Sequence, residues 1–256
     1  MSSQVAKPKI YKRPPVIEAV IDVRFANPLN PQQLDRLVSK QKSNFTIQPI
    51  EEVEVKLSPN EKAGMKAETK MKAETNMISV GYKLINNADS SIIIQVKPDA
   101  ISFSRLPPYK GWFNLVAEFK KHYAWFTDKK FKRLSRIGVR YINRIDIPRV
   151  DGKIELEGYI KIYPNTPKRN FPDFSQFSLQ TASIMDGSRM LIVNVHPAIE
   201  QPLLNYGSII FDLDVAQSIK LPEDNSQLYA ALDEIREKKN FFFESLLTAK
   251  CKRLFN

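Results

Sequence analysis

Asp212 and Asp214 stand one residue apart in the run Ile209-Ile210-Phe211-Asp212-Leu213-Asp214-Val215. Strand alternation puts both carboxylates on one face and Ile209, Phe211, Leu213 and Val215 on the other. Two such carboxylates hold Mg²⁺ when a third oxygen ligand converges on them. The sequence identifies no third ligand, and a pair of solvated acids is the plainer expectation. Glu54-Val55-Lys56 has the form of half a nuclease site, in which a lysine steadies the attacking water. No upstream aspartate is placed to complete it.

The other concentration of chemistry is basic. Lys129, Lys130, Lys132, Arg133, Arg136, Arg140 and Arg144 fall within one short stretch. On a strand, Arg140 and Arg144 share a face about 13 Å apart, a spacing suited to separate phosphates. The competing expectation is internal neutralisation. Glu18 and Asp22 line the polar face of the first strand, and they would pair with Arg140 and Arg144 if the two strands are neighbours.

His122 and His196 are the only histidines and Cys251 the only cysteine, too few for a Cys/His zinc cage. His122 is expected near the polar boundary of its helix. Gly-x-Ser-x-Gly, the Walker pattern and Gly-x-Gly-x-x-Gly are absent, and there are only eight glycines. Lys250, Lys252 and Arg253 flank Cys251 and would favour a thiolate, although a terminal-helix cysteine is more often a packed side chain. Trp112, Tyr123, Trp125 and Phe241-Phe242-Phe243 offer stacking surfaces, yet most fall on apolar stripes. Three consecutive rings on a helix point three ways, so one is expected to face outward as a protein contact.

These residues need elements to hold them. Ile17, Ala19, Ile21, Val23 and Phe25 alternate with Glu18, Asp22 and Arg24, predicting a strand over 16–25 with one face on the core. Asn30 before Pro31 predicts a helix start. Strands are expected over 51–57, 77–84, 91–96 and 100–105. Met65-Lys66-Ala67-Glu68-Thr69, repeated as Met71-Lys72-Ala73-Glu74-Thr75, reads as a loop expansion. Trp112, Val116, Phe119, Tyr123 and Phe126 form the stripe of a helix over 111–127. A long strand is expected over 134–147, with further strands over 153–162, 174–184, 189–196 and 207–216. Asp186-Gly187 signals a hairpin turn. Leu228, Leu232, Ile235, Phe242 and Leu246 mark a final helix over 225–252, roughly 40 Å long. The expected class is α+β, mostly antiparallel sheet with helices on one face and a long C-terminal helix. The expected division is a basic half, 1–150, and a second part, 151–256, that could equally continue as one domain.

The charge is uneven. Residues 1–150 carry 27 Lys and Arg against 14 Asp and Glu, a net of +13, and residues 151–256 carry 12 against 14, a net of −2. A field of one sign favours polyanionic partners or acidic proteins. No apolar run approaches membrane-spanning length and no secretory h-region follows the basic N-terminus, so a cytoplasmic location without membrane contact is expected.

Pro15-Val16-Ile17-Glu18-Ala19-Val20 running to Arg24-Phe25, Arg140-Tyr141-Ile142-Asn143-Arg144 on the long strand, and Phe243 to Thr248 in the last helix together resemble an uncharacterised family of sporadically distributed prokaryotic proteins of about this length. The resemblance spans nearly the whole chain. It implies a horizontally moving gene of genome-defence or mobile-element neighbourhoods and carries no catalytic residues. The resulting expectation is a non-enzymatic accessory or regulatory binding protein without cofactor, contacting nucleic acid or a partner protein through its basic half. The alternatives are a Mg²⁺-dependent nuclease or nucleotide-processing enzyme using Asp212 and Asp214, and a toxin-neutralising or scaffolding protein built on the terminal helix.

Overall fold

A computed structural model describes residues 11–59, 71–127, 133–165, 176–199, 203, 205–221 and 225–256. Among these, nine strands form one antiparallel sheet. In chain order they are β1 (Val16–Phe25), β2 (Phe45–Pro59), β3 (Met71–Asn86), β4 (Ile92–Lys97), β5 (Ala100–Arg105), β6 (Leu134–Pro148), β7 (Leu179–Ile184), β8 (Arg189–Pro197) and β9 (Tyr206–Leu221). Their order across the sheet is β2-β3-β4-β5-β1-β6-β9-β8-β7. The helices are α1 (Pro31–Ser39), α2 (Trp112–Thr127), α3 (Asn225–Leu246) and α4 (Ala249–Arg253). β1 and β6 are hydrogen-bonded neighbours, and β6 also pairs with β9, so strands from either side of residue 150 share the sheet.

The alternation in β1 holds from Ala19 onward, whereas at the register shift between Val16 and Glu18 it is Val16, not Ile17, that packs on the core. Ala19, Ile21, Val23 and Phe25 are buried, and they join Ile94, Phe103, Ile137, Val139, Tyr141, Phe211 and Leu213 in one core. α2 and α3 lie against this face, Phe119 packing edge-on against Phe103 and Phe243 against Phe211. α1 begins at Asn30 with a full capping box: the Asn30 side chain accepts from Gln33 N, and Asn30 N donates to the Gln33 side chain. Leu34 and Val38 anchor it to the same core.

The α+β expectation is overturned. Among the described residues, strand accounts for 46 % and helix for 27 %, which makes the class mostly β. Two differences explain the error. β2, β3 and β9 run well beyond their apolar alternation, because a neighbouring strand continues to satisfy their backbone groups. The expected 225–252 helix instead ends at Leu246. Leu247 is drawn into an isolated bridge with Ile160, Lys161 N donates to Leu246 O at 2.8 Å, and Thr248 N donates to Tyr159 O at 3.0 Å. Thr248 then caps α4 through its side chain, which accepts from Cys251 N. The segment that clamps the helix, expected as a strand over 153–162, is a short 3₁₀ turn at Leu156–Gly158 with isolated bridges on either side.

β2 and β3 extend far past β4, whose pairing to β3 covers only Tyr82 to Ile85. A Cβ at Gly81 would lie 2.5 Å from the Val96 carbonyl oxygen, so glycine is required where β3 leaves β4. The second copy of the Met-Lys-Ala-Glu-Thr repeat, 71–75, lies in β3 rather than in a loop. The first copy lies outside the described residues.

Candidate functional site: a charge ladder on the sheet and a buried lysine beneath it

The even-numbered side chains of β1 and β6 and their β9 partners make a polar ladder on the face opposite the core. In register, Asp22 stands opposite Gly138, Arg140 opposite Asp214, and Ile142 opposite Asp212. Arg136 Nη1 donates to Asp22 Oδ2 at 2.6 Å, and its Nη2 lies 3.5 Å from Asp214 Oδ2. Ser102 Oγ donates to the other Asp22 oxygen at 2.7 Å. Arg140 Nε and Nη2 donate to the two oxygens of Asp212 at 2.9 and 2.8 Å, and Asn194 Nδ2 adds a third bond at 2.9 Å. Arg144 Nε donates to Asp146 Oδ1 at 3.0 Å and its Nη2 to Ser208 Oγ at 3.1 Å.

Burial sets the electrostatics. It raises the Asp214 carboxyl above the usual carboxylate range, against the opposing pull of Arg136 and Arg140. The hydrogen bonds to Asp212 push the Arg140 guanidinium further up. Five carboxylates, Glu18, Asp22, Asp146, Asp212 and Asp214, face four guanidiniums, those of Arg24, Arg136, Arg140 and Arg144. Among the described residues, this ladder has no surplus of positive charge to offer a polyanion.

β1 and β6 are adjacent as the internal-pairing expectation required, but the partners differ. Asp22 takes Arg136, and the carboxylates for Arg140 and Arg144 come from β9 and from β6 itself. Arg133 is exposed at the foot of β6, beside an open depression lined by Ala26, Leu134, Ser135, Ser218 and Ile219. Lys129, Lys130 and Lys132 lie outside the described residues. So do the side chains of Glu54 and Lys56, whose backbones pair with Asn76 and Glu74.

Both oxygens of Asp212 are taken by nitrogen donors, so a cation there would have to displace Arg140 and Asn194. Among the described residues, no group of three or more His, Cys, Asp and Glu is placed to hold a metal ion. Cys251 is fully buried, and burial pushes its thiol up to about 12 despite Lys252 nearby. His196 Nδ1 lies 2.9 Å from the Pro197 carbonyl oxygen. His122 does not sit at a polar boundary: it is 3 % exposed, stacked on Phe103 and edge-on to Phe45 and Trp125. Among the described residues its Nδ1 has no hydrogen-bond partner, and burial lowers its pKa to about 4. Of the three expected rings, Phe243 is buried, Phe242 packs partly, and Phe241 is 64 % exposed.

The group that sequence reasoning missed is Lys239. It is 5 % exposed, with Nζ 3.4 Å from the centre of the Tyr141 ring. Tyr141 Oη is hydrogen-bonded to Tyr109 Oη, and Trp112 Nε1 donates to Asp233. Burial, helped by Arg236, lowers the Lys239 ammonium to about 7, and Glu244 opposes the shift. The available signal was spacing: Leu228, Leu232, Ile235, Lys239 and Phe243 fall on one stripe of α3.

No family model matches the chain, and no curated protein matches it. Among the described residues, no helix is long and apolar enough to cross a membrane.

Proposed function

We propose that the protein is a non-enzymatic accessory binding protein that contacts nucleic acid through the basic segment joining α2 to β6, not through the arginines of the sheet. The observation that supports this reading is the neutralisation of Arg136, Arg140 and Arg144 by carboxylates. With those three accounted for, the excess over residues 1–150 falls on side chains outside the ladder. Its densest sequence run is Lys129, Lys130, Lys132 and Arg133. Exposed Lys121 on α2 and exposed Arg133 bracket that run. Contacts by Lys and Arg to phosphate are largely independent of base sequence and weaken steeply with salt. A setting in prokaryotic genome defence or a mobile element accords with the resemblance of the N-terminal strand, the Arg140–Arg144 strand and the last helix to that family.

The test is fluorescence anisotropy with labelled single-stranded DNA, duplex DNA and RNA over a salt series, comparing the wild type with a Lys129→Glu, Lys130→Glu, Lys132→Glu variant. Salt-dependent binding that the variant loses supports the reading. A second reading, docking of a protein partner on α3, is favoured by the exposed Phe241 ring. It predicts a complex weakened by Phe241→Ser and indifferent to the lysine changes.

A further inference from the structure

A lysine is almost never buried without a carboxylate, because nothing else in a protein interior repays the loss of its water. Lys239 departs from that rule. It is 5 % exposed, and no carboxylate among the described residues forms an ion pair with it. What its Nζ meets is the face of the Tyr141 ring, which attracts a cation from one side only. Glu244 draws on Lys239 from the same helix, but both of its oxygens are held, one by the Tyr11 hydroxyl at 2.7 Å and the other by Lys252 at 3.0 Å.

A second cation stands with it. Arg236, one turn earlier on α3, acts electrostatically on Lys239, Tyr109 and Tyr141. Its guanidinium lies 6.0 Å from the centre of the Trp112 ring and forms no ion pair among the described residues. The acids before it on α3 are engaged elsewhere: Asp233 accepts from Trp112 Nε1, and Glu234 pairs with Arg189 at 2.6 Å. Two like charges set together away from bulk water repel each other, and an anion held by both removes that cost.

The hydroxyls complete the set. Tyr109 and Tyr141 share one hydrogen bond, which uses one of their two protons and leaves the other to donate. Tyr109 and Arg236 are partly exposed, whereas Tyr141 and Lys239 are buried, so the donors run inward from the surface. They come from α3, from β6 and from the segment ahead of α2. Ammonium, guanidinium and phenol donors brought together without a carboxylate suit an oxyanion, which accepts several charge-assisted hydrogen bonds at once.

We propose that Lys239, Arg236 and the Tyr109–Tyr141 hydroxyl pair form a binding site for the oxyanion group of a small ligand, a carboxylate or a phosphate. The site lies on the core side of the sheet and uses none of the Lys129–Arg133 segment, so it stands apart from nucleic-acid binding.

Thermal melts of the full chain in sodium phosphate, in sodium acetate and in sodium chloride, at matched ionic strength and without nucleic acid, test it. At about ten times the dissociation constant of the ion, the melting temperature of the wild type rises by about 3–5 °C over that in chloride. A rise in phosphate alone assigns a phosphate group, a rise in acetate alone a carboxylate, and a rise in both an oxyanion site that does not discriminate. Lys239→Met, which removes a buried charge and keeps the stem, abolishes the rise. Arg236→Gln, at a partly exposed position, diminishes it, and Lys238→Met on the exposed side of α3 retains it. No rise in either ion, a rise undiminished in Lys239→Met or Arg236→Gln, or a rise lost equally in Lys238→Met overturns the proposal.

Discussion

Arg140 holds Asp212 side-on by two hydrogen bonds, 2.9 and 2.8 Å, with the aspartate side chain 3 % exposed and the arginine 46 % exposed. The two ends of this pair are therefore not equivalent. Removing Arg140 leaves a buried carboxylate whose remaining side-chain bond among the described residues is the one from Asn194, and that costs about 3 kcal/mol. Removing Asp212 leaves a guanidinium that can turn to water, and costs about 1 kcal/mol. Urea unfolding of Arg140→Ala and Asp212→Ala is expected to show this order. Equal losses would mean that the arginine depends on the pair no less than the aspartate does.

Lys239 predicts a stability that rises with pH. Its folded pKa, about 7, lies below the ordinary lysine value of 10.5. The unfolded chain thus binds the proton more readily between those values, and stability climbs across that window. Below pH 7 the penalty of burying the ammonium is present in full. Lys239→Met removes the charge and keeps an unbranched apolar stem, and it is expected to stabilise the protein by about 1–2 kcal/mol at pH 7. Chemical denaturation at pH 7 and pH 10 reads the difference between the two proteins. The gap narrows at the higher pH, and a constant gap would contradict a titrating Lys239.

His122 works in the acid range. Its pKa is lowered from 6.5 to about 4, so the folded state resists a proton that the unfolded chain accepts. Its contribution is full above pH 6.5 and is lost as the pH falls toward 4. Phe at this position would continue the ring cluster of Phe45, Phe103 and Trp125 and remove the unpartnered Nδ1. In thermal melts, His122→Phe should gain on the wild type as the pH drops through this window. Parallel pH curves would rule out a buried neutral imidazole.

Thr248 ties the end of α3 to the 3₁₀ turn. Its hydroxyl donates to the Gly158 carbonyl at 2.7 Å and accepts from Cys251 N at 3.2 Å. Thr248→Ala loses both and is expected to cost about 1–2 kcal/mol, more than the cap alone. Thr248→Ser keeps both and should cost much less. If the two variants melt alike, the hydroxyl has no part in the clamp.

Elements with a strict period were legible in the sequence. β1 alternates from Ile17 to Phe25 at every position but Val20, the Asn30 cap announces α1, and the α2 stripe predicts which aromatic rings are buried. What failed depended on neighbours that no local pattern encodes. Asp22 meets Arg136 rather than Arg140 because of the stagger between β1 and β6. Arg140 finds Asp212 because β9 is the other neighbour of β6, and strand order is not written in either strand. The break at Leu247 is imposed by the Tyr159–Lys161 backbone, far away in sequence. Lys239 sits in Glu237-Lys238-Lys239-Asn240, a run that reads as solvated, although its spacing from Ile235 and Phe243 puts it on the buried stripe. The candidate phosphate contacts were legible as residue types, and their neutralisation by carboxylates was legible only in outline.

The proposed function depends on which basic residues serve a ligand. Anisotropy with labelled single-stranded DNA, duplex DNA and RNA, for the wild type, Arg140→Ala and the Lys129→Glu, Lys130→Glu, Lys132→Glu variant, separates the two sets directly. The expected result is binding that weakens with salt by about 0.7–0.9 in log–log slope per phosphate contact, little change in Arg140→Ala, and loss in the triple variant. Binding that survives in the triple variant and falls in Arg140→Ala, or no binding by the wild type at low salt, would contradict it.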